Sequence, residues 1–277
     1  PRTRGIVVSP VMANPPDMDK LLEICHKHKI LLIGDNCDSL GTKWNGNLIT
    51  DLYYSWTTSL YPAHHISTGE GGMISSNDSA FIDMARSISW WGRDCYCIGS
   101  NNTLPCGTCG NRFDQWLPGY DGIIDHKYIF THAGYNLKPL DLQGAIGVAQ
   151  LEKFDYIHQK RQENFKRLSN LLVKYLDVRI PTVLPGADPS WFGVPVICET
   201  QERKEKLVSY LEEKRIQTRN YFAGNILLHP GFKHLDDHTK YPLSNKALSH
   251  VFILGCPPFW NESIFNYIEE VLKSWHQ

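Results

Sequence analysis

Ser59-Leu60-Tyr61-Pro62-Ala63-His64-His65-Ile66-Ser67-Thr68-Gly69-Glu70-Gly71-Gly72 follows directly on an apolar, aromatic run, Leu52-Tyr53-Tyr54-Ser55-Trp56. Its proline cannot donate to a sheet ladder, and its glycines let the backbone turn sharply, so the sequence describes a strand running into a loop. Strand ends are where open α/β sheets place their chemistry. Here the loop offers the hydroxyl of Ser59, the phenol of Tyr61 and the imidazoles of His64 and His65 within seven residues. A pair of solvated histidines is the plainer reading of the same stretch.

Working outward from it, residues 5–9 read as a strand. Residues 17–27 read as a helix, with Met18, Leu21, Leu22 and Cys25 at helical spacing and Asp17 as N-cap. Residues 30–34 form a buried strand, and the β-α-β order implies a parallel pair with a right-handed crossover. Asp35 then sits just past a strand end, where a carboxylate serves either as a helix cap or as the counter-ion of a protonated cofactor ring nitrogen. Lys43-Trp44-Asn45-Gly46-Asn47 carries hairpin-turn chemistry. A strand over 72–75 and a helix over 79–90 follow, and a long loop over 92–125 of little periodicity implies a ligand or a function that orders it.

From Pro139 a long helical region carries Leu142, Ile146, Ala149 and Leu151 on one side and a Lys/Arg-rich face over 159–167 on another. The remainder alternates strand 191–198, helix 202–214, strands 216–219 and 251–255, and a closing helix over 261–275. The fold class is therefore α/β: a mostly parallel large-domain sheet over 1–140, then an interdomain helix and a smaller α+β domain over 141–277.

The chain has 277 residues, 42% of them hydrophobic, and a formal net charge of −1. That gives nucleic acid no electrostatic footprint to bind. The longest apolar runs are strand-sized, so no membrane span is expected. The start Pro1-Arg2-Thr3-Arg4 has neither an initiator methionine nor a signal-peptide core, and we read the chain as cytoplasmic and truncated at its start. Among the eight cysteines, Cys25, Cys198 and Cys256 lie among apolar neighbours, whereas Cys95, Cys97, Cys106 and Cys109 share one Gly/Asn-rich loop. On spacing alone, those four describe a tetrahedral zinc site.

Three features together resemble the vitamin B6-dependent sugar aminotransferases of aspartate aminotransferase fold type I. They are Asp35 after a buried strand, Ser59-x-Tyr61-Pro62-x-His64 closed by Gly69-Glu70-Gly71-Gly72, and Gly134-Tyr135-Asn136-Leu137 before a helix. In ordinary members the position of His64 is the lysine that links covalently to pyridoxal phosphate. An imidazole cannot make that link, so the resemblance implies pyridoxamine phosphate held non-covalently and a histidine free to move protons. Tyr-Pro-Ala-His-His with Gly-Glu-Gly-Gly is similar to the 3-dehydrases of nucleotide-activated 4-keto-6-deoxy sugars.

That resemblance implies His64 as the catalytic base, with Asp35, Asp38, Ser59 and Asn136 around the cofactor and Tyr61, Arg219 and Asn225 around the substrate. Asn136 would reach the phosphate of a neighbouring subunit in a homodimer. One branch of these dehydrases acts on a CDP-linked sugar and carries a 2Fe-2S iron–sulfur cluster; by resemblance its ligands here are Cys37, Cys95, Cys97 and Cys109, with Cys106 the rival for the last place. The implied reaction is C3 dehydration and deoxygenation in deoxysugar biosynthesis of the lipopolysaccharide O-antigen type, supplied with electrons by an NADH-dependent flavin and iron–sulfur reductase. A cluster-free dehydratase of a GDP-linked 4-keto-6-deoxymannose is the alternative within the family. A zinc-stabilised module without turnover is the alternative outside it, because in this fold an N-terminal part supplies a Gly-rich helix start and a stacking aromatic ring that the sequence does not show.

Overall fold

The computed structural model of the protein describes residues 2–95, 109–114 and 117–275. It opens with strand β1 (Gly5–Val8), helix α1 (Met18–His28) and strand β2 (Leu31–Asp35). The Asp17 carboxylate caps α1 by accepting the Lys20 N–H at 3.1 Å, and Lys29 ends it in a left-handed conformation. The helix buries Met18 and Cys25 against Leu32, Trp44, Ile49 and Tyr53, which lets β1 and β2 pair in parallel as the β-α-β pattern requires. Gly34 is needed there: a Cβ would lie 2.4 Å from the Tyr53 ring.

A hairpin of β3 (Lys43–Trp44) and β4 (Asn47–Leu48) turns through Asn45 and Gly46, both at positive φ. Strand β5 (Ser55–Ser59) is parallel to β2, and β6 (Gly72–Ser76) is antiparallel to β5, giving the order β1-β2-β5-β6. The apolar run before Ser59 is thus only partly strand, because Ile49–Leu52 forms a 3-10 turn closed by the Tyr53 N–H on Thr50 O. The decisive stretch is the connection between β5 and β6. Bonds from Leu60 N to Gly71 O and from Thr68 N to Leu60 O, each 2.9 Å, hold it as a compact loop.

Helix α2 (Ser79–Ser89), capped by Asp78, packs on β6. The long helical region is two helices, α3 (Asp141–Leu151) and α4 (Phe154–Tyr175), because Lys153 leaves helical geometry between them. The apolar stripe of α3, including Leu142 and Val148, is exposed, whereas α4 buries Leu168 and Leu172. Beyond α4, β7 (Ala187–Asp188) adds to the β3–β4 hairpin. Next come β8 (Gly193–Ile197), α5 (Gln201–Glu213), β9 (Thr218–Asn220), α6 (Pro242–His250), β10 (Val251–Gly255) and α7 (Glu262–Lys273). They form an antiparallel sheet of order β8-β10-β9. Val194, Val196, Phe252 and Leu254 of this sheet share a core with Leu168, Leu172, Leu207, Leu211, Phe265 and Leu272. Among the described residues no helix is long and apolar enough to cross a membrane.

Candidate active site

The carboxyl ends of β2 and β5 lie side by side, with Asp35 in register with Thr57. Past β2 the chain turns at once. Asn36, fully buried, accepts the Ser39 hydroxyl at 2.7 Å, and the Cys37 N–H donates to Asp35 Oδ1 at 3.2 Å. This turn brings Asp38 under the loop that follows β5. Asp38 Oδ1 lies 3.6 Å from His64 Nδ1, within ion-pair reach and longer than a hydrogen bond; that nitrogen is buried without a hydrogen-bond partner. Burial pushes the Asp38 carboxyl up, while the His64 imidazole and the Met12 backbone N–H pull the other way. Met12, whose φ of 55° is left-handed, supplies that amide from the buried turn after β1.

His64 and His65 have opposite surroundings. The His64 ring meets Tyr61 edge-on at 6.5 Å and Phe192 at 5.3 Å between centroids, and lines a cavity of about 590 Å³. His65 is buried and its Nε2 donates to Ser190 O at 2.5 Å. Burial first, and the Arg161 guanidinium second, pull its pKa down to about 3, so His65 is a neutral structural group. The cavity wall also includes Arg161, Gln217, Arg219 and Asn220, and among the described residues no aspartate, glutamate or lysine lines it.

Asp35, Asp38, Ser59, Tyr61 and His64 are therefore gathered around the two strand ends, and Arg219 faces the same cavity from β9. Asn225 lies apart from it, and Asn136, expected to reach a neighbouring subunit's site, lies on the surface. Asn225 is buried and fully engaged, its Nδ2 donating to His238 O and Asn245 Oδ1 and its Oδ1 accepting from Leu227 N. Asn136 is exposed and pairs with Trp90 in an isolated bridge. Met12, Arg161 and Phe192 escaped the sequence reading. Arg161 had a usable signal, since with Asn164, Leu168 and Leu172 it falls on the buried face of α4.

A pyridoxamine phosphate fits the donor set. Asp35 offers a carboxylate at the strand end, Ser59 a hydroxyl at the end of the adjacent strand, and the unpartnered His64 Nδ1 marks a polar group poised toward Asp38. The cysteines fit a metal less well. Cys37 and Cys109 are free thiols, and Cys95 is buried. Cys97 and Cys106 lie outside the described residues. Among the described residues no group of three or more His, Cys, Asp or Glu side chains is arranged to hold a metal ion. Burial, then Asp35 and Asp38, push the Cys37 thiol up to about 12.

Comparison with known proteins gives a consistent result. The model of the DegT/DnrJ/EryC1/StrS aminotransferase family matches residues 1–273. A dTDP-4-dehydro-2,6-dideoxy-D-glucose 3-dehydratase of Saccharopolyspora spinosa is 36% identical over 97% of this chain and 58% of its own length. The lipopolysaccharide biosynthesis protein RfbH of Salmonella typhimurium is 34% identical over 96% of this chain and 61% of its own length. The chain thus spans about three fifths of these relatives. A solved E. coli GDP-4-keto-6-deoxy-D-mannose-3-dehydratase with bound hydrated PLP superposes with a TM-score of 0.79 at 23% identity, covering 98% of this chain and 67% of that one. The aminotransferase TlmJ of Streptoalloteichus hindustanus gives 0.79 at 18% identity, with 99% and 66% covered. At those identities the two structures show the shared fold.

Proposed function

This chain belongs to the DegT/DnrJ/EryC1/StrS aminotransferase family, and from that premise we propose that it removes the C3 hydroxyl of a nucleotide-linked 4-keto-6-deoxy sugar with the help of pyridoxamine phosphate. The observation that carries the reading is the Asp38–His64 pair, with His64 lining a cavity to which, among the described residues, no lysine contributes. A transaminating member needs a lysine amine at this loop; an imidazole backed by a carboxylate is equipped only for proton transfer. The dehydratase names of the relatives support the same reading.

When bound, the cofactor supplies an amine for the C4 ketone and a ring that accepts electrons from the neighbouring C–H bond. Asp35 would hold the proton on the ring nitrogen, and the Ser59 hydroxyl would donate to the phosphate. Asp38 would keep the His64 proton on Nδ1, which leaves Nε2 to take a proton on the cavity side. Arg219, Gln217 and Asn220 would face the ligand from β9 and its approach, and the Arg161 and Arg219 charges on the wall suit a diphosphate. We assign residues 1–140 to the cofactor-binding part and 141–277 to the interdomain helix and small domain.

The nucleotide is not narrowed to CDP: the relatives include dTDP- and GDP-linked enzymes. Dependence on a 2Fe-2S cluster is a finer extension, supported by Cys37 lying against Asp35 and the Ser59 backbone. The cluster-free branch is the second reading, supported by a GDP-linked dehydratase among the relatives. A homodimer, a cytoplasmic location and a reductase partner extend the proposal from the resemblance alone. The test is incubation of the protein with pyridoxamine phosphate and 4-keto-6-deoxy sugars linked to CDP, dTDP or GDP, followed by mass spectrometry. Loss of one water from one of the sugars is the expected result. Gain of an amino group from added glutamate, with no water lost, contradicts the proposal.

A further inference from the structure

We infer that Arg161 is a positioning residue for His64, fastening the loop that carries the imidazole to the segment leading into β8. Resting on the reading of His64 as the proton carrier, the inference adds a residue outside both strand ends. Arg161 projects from the second turn of α4 and is 7% exposed. Its Nη1 donates to Phe192 O at 3.1 Å and its Nη2 to His64 O at 3.4 Å. The Phe192 ring packs 5.3 Å from that of His64, and two residues earlier Ser190 O accepts from His65. One guanidinium therefore ties together the main chain at His64 and the residue whose ring packs against it.

A purely structural role explains this arrangement poorly. Nε is buried with no hydrogen-bond partner, and among the described residues no carboxylate pairs with the guanidinium, whose neighbours are the buried Cys256 thiol, to which it hydrogen-bonds, and the neutral His65. A buried cation without a carboxylate costs several kcal/mol in desolvation, and an apolar side chain of similar length would fill the same space at less cost. What the guanidinium provides and a methionine does not is a rigid fork with donors aimed at two carbonyls. With the backbone held at His64 O and Nδ1 facing Asp38, the imidazole is fixed at two points beside the cavity it lines.

The test compares Arg161→Met and Arg161→Lys with the parent by two readouts. The first is the nitrogen-15 spectrum of the His64 imidazole without substrate or cofactor, assigned from the signals missing in His64→Asn. The second is exchange of the C4′ proton of added pyridoxamine phosphate with solvent deuterium. The parent is expected to hold a single tautomer with the proton on Nδ1. Arg161→Met should mix the two tautomers and slow exchange about 10²-fold, the scale of a 1 Å misplacement. Arg161→Lys keeps the charge but reaches one carbonyl, so it should recover part of both. An unchanged tautomer in folded Arg161→Met overturns the inference, and should that variant not fold, an unchanged tautomer and rate in Arg161→Lys do so. If the tautomer changes but even the parent exchanges no proton, the proton-carrier reading fails and the positioning role of Arg161 stands.

Discussion

Two adjacent histidines with the same intrinsic chemistry are set to different tasks by burial. His64 keeps an edge on the cavity and a carboxylate at 3.6 Å, whereas His65 is enclosed and spends Nε2 on a backbone carbonyl. A histidine whose folded pKa is lowered to about 3 binds fewer protons when folded than when unfolded between that value and about 6.5. The sign follows from linkage: stability rises with pH across that window and is lost as pH falls through it, by up to roughly 1.4 kcal/mol per pH unit for one group. His65→Gln keeps a donor for Ser190 O and removes the titration. Its unfolding free energy should fall less steeply than the parent's between about pH 6.5 and 3. Equal slopes in urea titrations across that range would show that His65 is not held neutral.

At the level of elements, legibility followed periodicity and turn chemistry. Asp17, the 5–9 and 30–34 runs and Asn45-Gly46 announced α1, β1, β2 and the hairpin, because each local preference agrees with the final fold. The α3–α4 break was illegible, since nothing between Leu151 and Phe154 is a helix breaker and the interruption is visible only in the backbone at Lys153. Helix α6 begins at Pro242 and buries no residue, so its apolar spacing is faint. Leu172, at 0% exposure, anchors α4 in the second core, so Leu172→Ala should cost about 2–5 kcal/mol in chemical denaturation. A loss of only about 0.5 kcal/mol, as for a surface site, would contradict that packing. For the cysteine loop, the cluster extension expects Cys37→Ser to lose iron as completely as Cys97→Ser, with Cys109 needed and Cys106 tolerated. Full iron and sulfide in Cys37→Ser removes the strand-end ligand and with it that extension.

Across the whole molecule, the cavity is assembled from parts far apart in sequence: His64 after β5, Arg161 on α4, Phe192 before β8, Arg219 on β9 and Phe259 after β10. The strand-end side was readable because Asp35 and Ser59 close recognisable strands and His64 lies in the loop that follows the second. Of the opposite wall only Arg219 was named, by resemblance. Arg161 sits between Lys160 and Gln162, and its burial shows only in the helical spacing it shares with Asn164, Leu168 and Leu172, while Asn225, also named by resemblance, caps a 3-10 turn. Long-range packing, which local sequence does not encode, decides which of these side chains meet. Proton transfer rests on one nitrogen of His64, and the most direct test is exchange of the C4′ proton of bound pyridoxamine phosphate in His64→Asn. The variant should still bind the cofactor, since no covalent link is lost, and should exchange about 10²–10⁴-fold more slowly than the parent, the usual loss on removing a general base. Exchange at the parental rate with cofactor bound would show that His64 does not move the proton.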